Sequence, residues 1–269
     1  AHIYKMRVEQ RLRIAIEKQT LFMVFQPLVR TDKSIHGVEA LVRWIDDELG
    51  FVPPDVFVPI AESTGLMQKL GAFIIESSVM QIAHLHRTTE QNIGLSINIS
   101  VRQFSHKSFS EHLLATLEKY QFSAHCLTLE ITESLFIEDV TLVKPIFQAL
   151  KEKDIKISLD DFGTGYSSWS MLKVLPINEL KIDKSFIENI AIDQQSLTMV
   201  QNIIAIGKNF GMVVLAEGVE SNEHFSILKA CGCDLMQGYY FSRPIPYDQL
   251  CQFLATTLTE ETDLTVSLS

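Results

Sequence analysis

The sequence predicts an α/β protein folded as one closed barrel of strands wrapped in helices, and three observations carry that prediction. Short apolar runs alternate with helical stretches along most of the chain, the pattern of a parallel sheet covered by helices. Most of these runs end in a polar group: Glu39, Asn98, Glu130, Asp160 with Asp161, Lys181 and Glu217. An acid at the end of a buried strand is costly unless it is paired or holds a metal. Polar groups at so many strand ends suit a closed barrel better than an open sheet, where sites gather at one switch point. Length agrees, because 269 residues with 46% hydrophobic content match the roughly 250 residues of a single (β/α)8, TIM-like barrel.

The elements follow in order. Residues 4–18 form a charged amphipathic helix with Val8, Leu12 and Ile16 on one face. It reads as the opening element of the domain or as the tail of a connector from an upstream module, and its charge favours the connector. LFMVFQPLVR and IHGVEALVRW, joined by the polar turn TDKS, predict an antiparallel hairpin. Pro53 and Pro54 precede a short helix in DVFVPIAE with Asp55 near its start, and a long helix follows over roughly 65–88, opened by Ser63 and Thr64. Strands are then expected at about 93–98, 126–131, 155–160, 177–182, 212–216 and 233–236. Helices are expected near 107–120, 139–152, 193–209, 220–230 and 246–258. The two opening strands bring the total to eight. The chain divides into an N-terminal linker helix, 1–19, a barrel, 20–258, and a polar tail, 259–269, that is expected to fray.

Composition excludes several classes. No apolar stretch approaches the roughly 20 residues of a membrane span, and no signal peptide opens the chain. Cys126, Cys231, Cys233 and Cys251 form no C-x-x-C pair and read as small core residues of a reducing compartment. The expected location is therefore the cytoplasm, as a free chain or as the cytoplasmic part of a membrane-anchored protein. A net charge of −10 argues against duplex nucleic acid as a partner. It leaves an anionic substrate open, because bound cations reverse the local sign. The eight histidines show no ligand-like spacing, and serine-nucleophile and dinucleotide fingerprints are absent.

The recurrent acids, with one amide oxygen and neither cysteine nor histidine, form a hard-oxygen set suited to Mg²⁺, Mn²⁺ or Ca²⁺. Adjacent strand residues face opposite ways, so Asp160 and Asp161 can converge only where their strand ends. There one carboxylate can bridge two metals, and two cations about 4 Å apart clamp the attacking and leaving oxygens of a phosphoryl displacement. A lone Asp-Asp pair is more often a helix cap or a solvated turn; the company of the other acids tells against that here. Lys181 could hold the nucleophilic water, stabilise developing charge, act as base, or merely pair with a neighbour such as Asp183. FGTGYSS lacks the Lys-Ser/Thr pair of a P-loop and reads as a flexible loop beside the metals. Arg43, on the strand face of Leu41, could bind a phosphate bidentately. Gln26 and the Gln237-Gly238-Tyr239 run would suit a base or sugar, although core tyrosines are the commoner case.

Glu39-Ala40-Leu41 within EALVRW, together with FQPLV, SINIS, LEITES, DDFGTGYSS, LKIDKSF, AEGVE and QGYYFSRP in that order, resembles the EAL-domain cyclic di-GMP phosphodiesterases from about residue 25 to 246. The resemblance implies a (β/α)8 barrel with one antiparallel strand, and hydrolysis of cyclic di-GMP to linear pGpG. It implies two Mg²⁺ or Mn²⁺ ions per site, with Ca²⁺ inhibitory. On the matching positions, Glu39, Asn98, Glu130 and Asp160 resemble the ligands of the first metal. Asp160 and Asp161 resemble the pair serving the second, with Glu217 close by. Lys181 resembles the residue that positions or deprotonates the attacking water. Gln26, Leu41 and Arg43 resemble substrate contacts, Gln237 and Glu220 supporting polar groups, and Glu133 the anchor of the DDFGTGYSS loop. Phe25 stands where the family often has tyrosine, and every matched ligand position keeps its residue type. The resemblance also implies a homodimer and an upstream sensory or GGDEF domain. The competing readings are a catalytically silent cyclic di-GMP receptor or protein-interaction module, and a two-metal hydrolase of another phosphodiester.

Overall fold

The computed structural model describes residues 2–89, 91–104, 106, 108–132, 140–162 and 169–266. The chain opens with α1 (His2–Lys18), then β1 (Phe22–Arg30) and β2 (Ile35–Asp46), which pair antiparallel as the TDKS turn predicts. A short β3 (Gly50–Val52) folds back on the end of β2 and leads into α2 (Pro54–Thr64) and α3 (Met67–Thr89). Next come β4 (Gly94–Asn98), α4 (Val101–Phe104), α5 (Phe109–Tyr120), β5 (Leu127–Thr132), α6 (Val140–Glu152) and β6 (Lys156–Phe162). These are followed by α7 (Trp169–Val174), β7 (Glu179–Ile182), α8 (Lys184–Ile187), α9 (Gln194–Asn209), β8 (Val213–Ala216) and α10 (Asn222–Ala230). The chain closes with β9 (Leu235–Met236), β10 (Ile245–Pro246) and α11 (Tyr247–Val266), so helix continues into the polar 259–269 segment.

The strand order β1-β9-β8-β7-β6-β5-β4-β2, with β2 pairing back to β1, closes an eight-stranded barrel. β2 and β4 to β9 run parallel, and β1 is antiparallel to both its barrel neighbours. β3 and β10 are short additions to the edges of β2 and β1.

Period-two alternation decides which side chains reach the interior. Along β5, Leu127, Leu129 and Ile131 join the large core between strands and helices; so do Ile157 and Leu159 on β6 and Leu180 and Ile182 on β7. The alternate residues turn inward: Glu130, Asp160 and Lys181. Leu28, Leu215 and Leu235 form a separate small apolar cluster inside the barrel, one step below Gln26, Glu217 and Gln237. The barrel is thus apolar outside, partly plugged inside, and polar at the C-terminal rim.

Helix α1 is packed rather than projecting. Val8 and Leu12 are fully buried, Ala15 and Ile16 nearly so, in the same core as Trp44, Val52 and Phe57. The apolar stripe read from the sequence therefore has a partner within this chain. All four cysteines are free thiols; Cys126 and Cys233 are buried, Cys231 and Cys251 half-buried. Among the described residues, no helix is long and apolar enough to cross a membrane.

Candidate active site

The polar strand ends converge on Lys181. Its Nζ lies in the interior with no exposed surface, 2.8 Å from Glu130 Oε2 and 2.8 Å from Glu217 Oε1. Asp160 Oδ2 is 3.5 Å away and Glu39 Oε2 3.7 Å. Acids from β2, β5, β6 and the end of β8 thus share one ammonium. The simple alternative, a pair between Lys181 and Asp183, is not what forms. Asp183 caps α8, accepting from the Ser185 N–H at 3.0 Å.

A second set of bonds orients Glu39. Asn98 Nδ2 donates to its Oε1 at 2.7 Å, and Gln237 Nε2 to its Oε2 at 2.7 Å. Gln237 Nε2 also donates to Gln26 Oε1 at 2.9 Å, and Gln26 faces Glu39 directly in the β1–β2 register. Gln26 is therefore a mid-strand residue, because β1 runs against its neighbours and meets the rim partway along its length.

Asp160 and Asp161 converge by a route that differs from the expected strand end. β6 continues to Phe162, and its pairing with β7 slips between Leu159 and Phe162. Asp161 sits in this bulge with φ of 57°, and its N–H donates to Asp160 Oδ1 at 2.9 Å. A bulge places an extra residue on one strand and redirects its side chain. An aspartate tolerates the left-handed conformation better than most residues. As a result one carboxylate oxygen from each of Asp160, Asp161 and Glu217 lies within 4.8 Å of the other two.

Burial and mutual charge shape the protonation of this cluster. Burial would lift Glu39, but Lys181 and the amides of Gln237 and Asn98 hold it below the usual carboxylate range. Glu130 is pushed well above that range by burial and by the charge of Glu39, against the pull of Lys181. Burial, with the charges of Asp160 and Glu39, raises Glu217 to about 7 despite Lys181. Burial alone would lower Lys181, yet the carboxylates of Glu130, Glu217, Glu39 and Asp160 drive it well above its ordinary value.

Four carboxylates facing one ammonium, with Asp161 grouped beside Asp160 and Glu217, are an excess of negative charge that a hard cation would neutralise. Glu130 Oε1 is buried with no hydrogen-bond partner among the described residues. A coordination bond is one of the few ways to satisfy such an atom. The oxygen-only donor set fits a divalent cation of the magnesium, manganese or calcium type.

Beside the cluster lies a cleft of 440 Å³. Leu41, Arg43, Asn98, Glu130, Asp160 and Asp161 line one side; α2 supplies Asp55, Val58, Pro59 and Glu62 on the other. Arg43 is half-buried, and burial lowers its guanidinium from its ordinary value. The sequence motifs do not mark the α2 residues as part of a site. A signal exists in Asp55 and Glu62, seven apart on one face of a helix that follows the β2–β3 turn. Glu220 stands apart: it is exposed before α10, where its N–H reaches His224 Nδ1 at 3.4 Å. Glu133 and residues 163–168 of the glycine-rich loop lie outside the described residues.

Comparison with known proteins follows the same lines. Residues 9–244 match the EAL domain family. The signaling protein YkoW of Bacillus subtilis is 40% identical over 251 residues, 93% of this chain and 31% of that protein. The cyclic di-GMP phosphodiesterase NbdA of Pseudomonas aeruginosa is 33% identical over 251 residues, 93% of this chain and 32% of that protein. The chain spans about a third of the length of these curated relatives. Among solved structures, the PaMucR phosphodiesterase in complex with c-di-GMP superposes with a TM-score of 0.86 at 34% identity, covering 91% of this chain and 99% of that one. Barrel closure through an antiparallel first strand, acids gathered at its rim and a match over most of its length agree: the chain belongs to the EAL domain family.

Proposed function

We propose that this chain hydrolyses cyclic di-GMP to linear pGpG with two divalent cations, Mg²⁺ or Mn²⁺. The observation that carries the reading is the convergence of Glu39, Glu130, Asp160 and Glu217 on the buried Nζ of Lys181, beside a cleft lined by Arg43. NbdA, named a cyclic di-GMP phosphodiesterase, and the c-di-GMP complex of PaMucR support the choice of substrate.

In this reading Glu39, Asn98, Glu130 and Asp160 would hold the first cation, and Asp160 and Asp161 the second, with Glu217 close by. When bound, the cations would polarise the phosphodiester and lower the pKa of an attacking water. Lys181 faces the same space as the acids and donates to that water, fixing its line of approach. Gln237 holds Glu39 in place beside Lys181 through a 2.7 Å bond. Arg43 meets a phosphate oxygen of the substrate, and Leu41 and Gln26 border the sugar and base. Glu133 is assigned to holding the glycine-rich loop, and Glu220, exposed before α10, keeps only an outer supporting role. Ca²⁺ would compete for the same oxygen donors and inhibit.

The relatives are about three times as long as this chain, and MucR is named a bifunctional diguanylate cyclase/cyclic di-GMP phosphodiesterase. An upstream sensory or GGDEF domain, and a homodimer, belong to the same proposal. The test is incubation with cyclic di-GMP and Mg²⁺ or Mn²⁺, followed by chromatography. Appearance of pGpG, abolished by a chelator, is the expected result. Intact cyclic di-GMP with measurable binding would mark a silent receptor and overturn the enzymatic reading.

A further inference from the structure

We infer that Arg11 of α1 is a positioning residue for the substrate cleft, acting from the outer side of the barrel through Asp46. The inference rests on the cleft assignment in the proposed function, but its bonds are far from the acids that meet at Lys181.

Arg11 grips the far end of the strand that carries Glu39. Its Nε and Nη2 each lie 2.9 Å from Asp46 Oδ2, with Nε also 3.0 Å from Oδ1. Its Nη1 donates to Glu48 Oε1 at 2.7 Å, and Arg7 Nη2 reaches Glu48 Oε2 at 3.0 Å. Asp46 is 7% exposed. Its Oδ1 also accepts the backbone N–H of Glu48 at 2.9 Å and of Leu49 at 3.0 Å. One buried carboxylate therefore joins three pieces: the helix α1, the end of β2, and the turn into β3. Planar bidentate pairing of this kind fixes orientation as well as distance.

That turn leads straight to the cleft wall. Asp46 is three residues beyond Arg43, and α2 begins two residues after β3 ends. Asp55, Val58, Pro59 and Glu62 of α2 and Arg43 of β2 all line the cleft. Behind them Trp44 meets Phe57 edge-on, with centroids 5.7 Å apart, in the core that Val8 and Leu12 complete. α1, β2, β3 and α2 thus form one wall, clamped on its outer side by Arg11. Without the guanidinium, Asp46 keeps a buried charge with no cation and recruits water, and the turn and α2 loosen. The acids on β5 to β8 do not touch this clamp. Substrate capture should suffer, and the chemical step far less.

The experiment compares Arg11→Ala, Arg11→Lys and Asp46→Asn with the parent chain. Two readouts are taken: steady-state hydrolysis of cyclic di-GMP with Mn²⁺, and backbone hydrogen exchange without substrate. Arg11→Ala should raise KM about 5-fold with kcat within about 2-fold, and Arg11→Lys should recover part of the loss. Amides of Glu48, Leu49 and α2 should exchange faster in Arg11→Ala and Asp46→Asn, while those of β5 to β7 stay unchanged. Unaltered protection of α2, or a fall in kcat at constant KM, overturns the inference. A parent chain that leaves cyclic di-GMP intact overturns the functional reading instead, and the exchange of α2 still decides the role of Arg11. Should Arg11→Ala fail to fold, Asp46→Asn decides by the same two readouts.

Discussion

Replacing Gly37 by alanine tests how finely the strand spacing beneath the site is set. Gly37 stands two residues before Glu39 on β2, directly opposite Gly94 on β4. A Cβ at 37 would lie 2.7 Å from the Gly94 carbonyl oxygen and 2.9 Å from its carbonyl carbon and Cα. All three are backbone atoms, so no rotamer change relieves the clash. Ordinary contacts begin at 3.4 Å, so β2 and β4 must part by roughly 0.7 Å, an overpacking that costs about 1–3 kcal/mol. For a chain of this size, about 2 kcal/mol lowers Tm by about 4–8 °C. The same displacement reaches the 2.7 Å bond from Asn98 to Glu39, and a misplacement of that order should reduce turnover about 10-fold. Gly94→Ala is the control, because its Cβ would meet nothing closer than His36 O at 3.5 Å. Calorimetry and turnover of the two variants decide the matter. Equal behaviour of Gly37→Ala and Gly94→Ala, or a Gly37→Ala protein unchanged in both measurements, refutes the reasoning.

Three further outcomes are expected. Lys181→Met should lower kcat by about 100- to 1000-fold while leaving substrate affinity, measured with Ca²⁺, largely intact; lost binding with full turnover removes Lys181 from the chemistry. Glu39→Ala should abolish most activity and weaken divalent-cation binding in a barrel that stays folded by circular dichroism; hydrolysis at the parent rate would discard the metal assignment. His36, whose Nδ1 lies 2.9 Å from Arg30 Nη2, is lowered to about 4 by burial and by Arg30 and Lys156. Between its ordinary 6.5 and about 4 the unfolded chain binds the extra proton, so stability is full above that window and falls as pH drops through it. His36→Asn should flatten that acid limb by about 1 kcal/mol after solvent screening, and identical limbs in both proteins would exclude His36 as its source.

Much of this molecule is legible in local sequence. The strand-helix rhythm by itself demands a covered parallel sheet, and the apolar runs that end in Glu130, Asp160 and Lys181 mark the strands that carry the site. Residue chemistry names the donors: carboxylates and an amide, hence a hard cation. Those features depend on side chains a few positions apart, which the chain itself carries. Other features depend on which strands meet. Asp160 and Asp161 converge through a bulge in the β6–β7 pairing, not at a strand end, because register is settled by the neighbouring strand. Lys181 bypasses Asp183, two positions away, for acids brought from four other segments, because barrel closure leaves a buried ammonium no solvent to turn to. Helix α1, whose charge suggests a connector, packs on the cleft wall because Trp44, Val52 and Phe57 offer its apolar face a partner and Asp46 offers Arg11 one. Periodicity and donor chemistry are local and could be read from the chain; which groups meet across the barrel was decided only when closure set the register and excluded water from its interior.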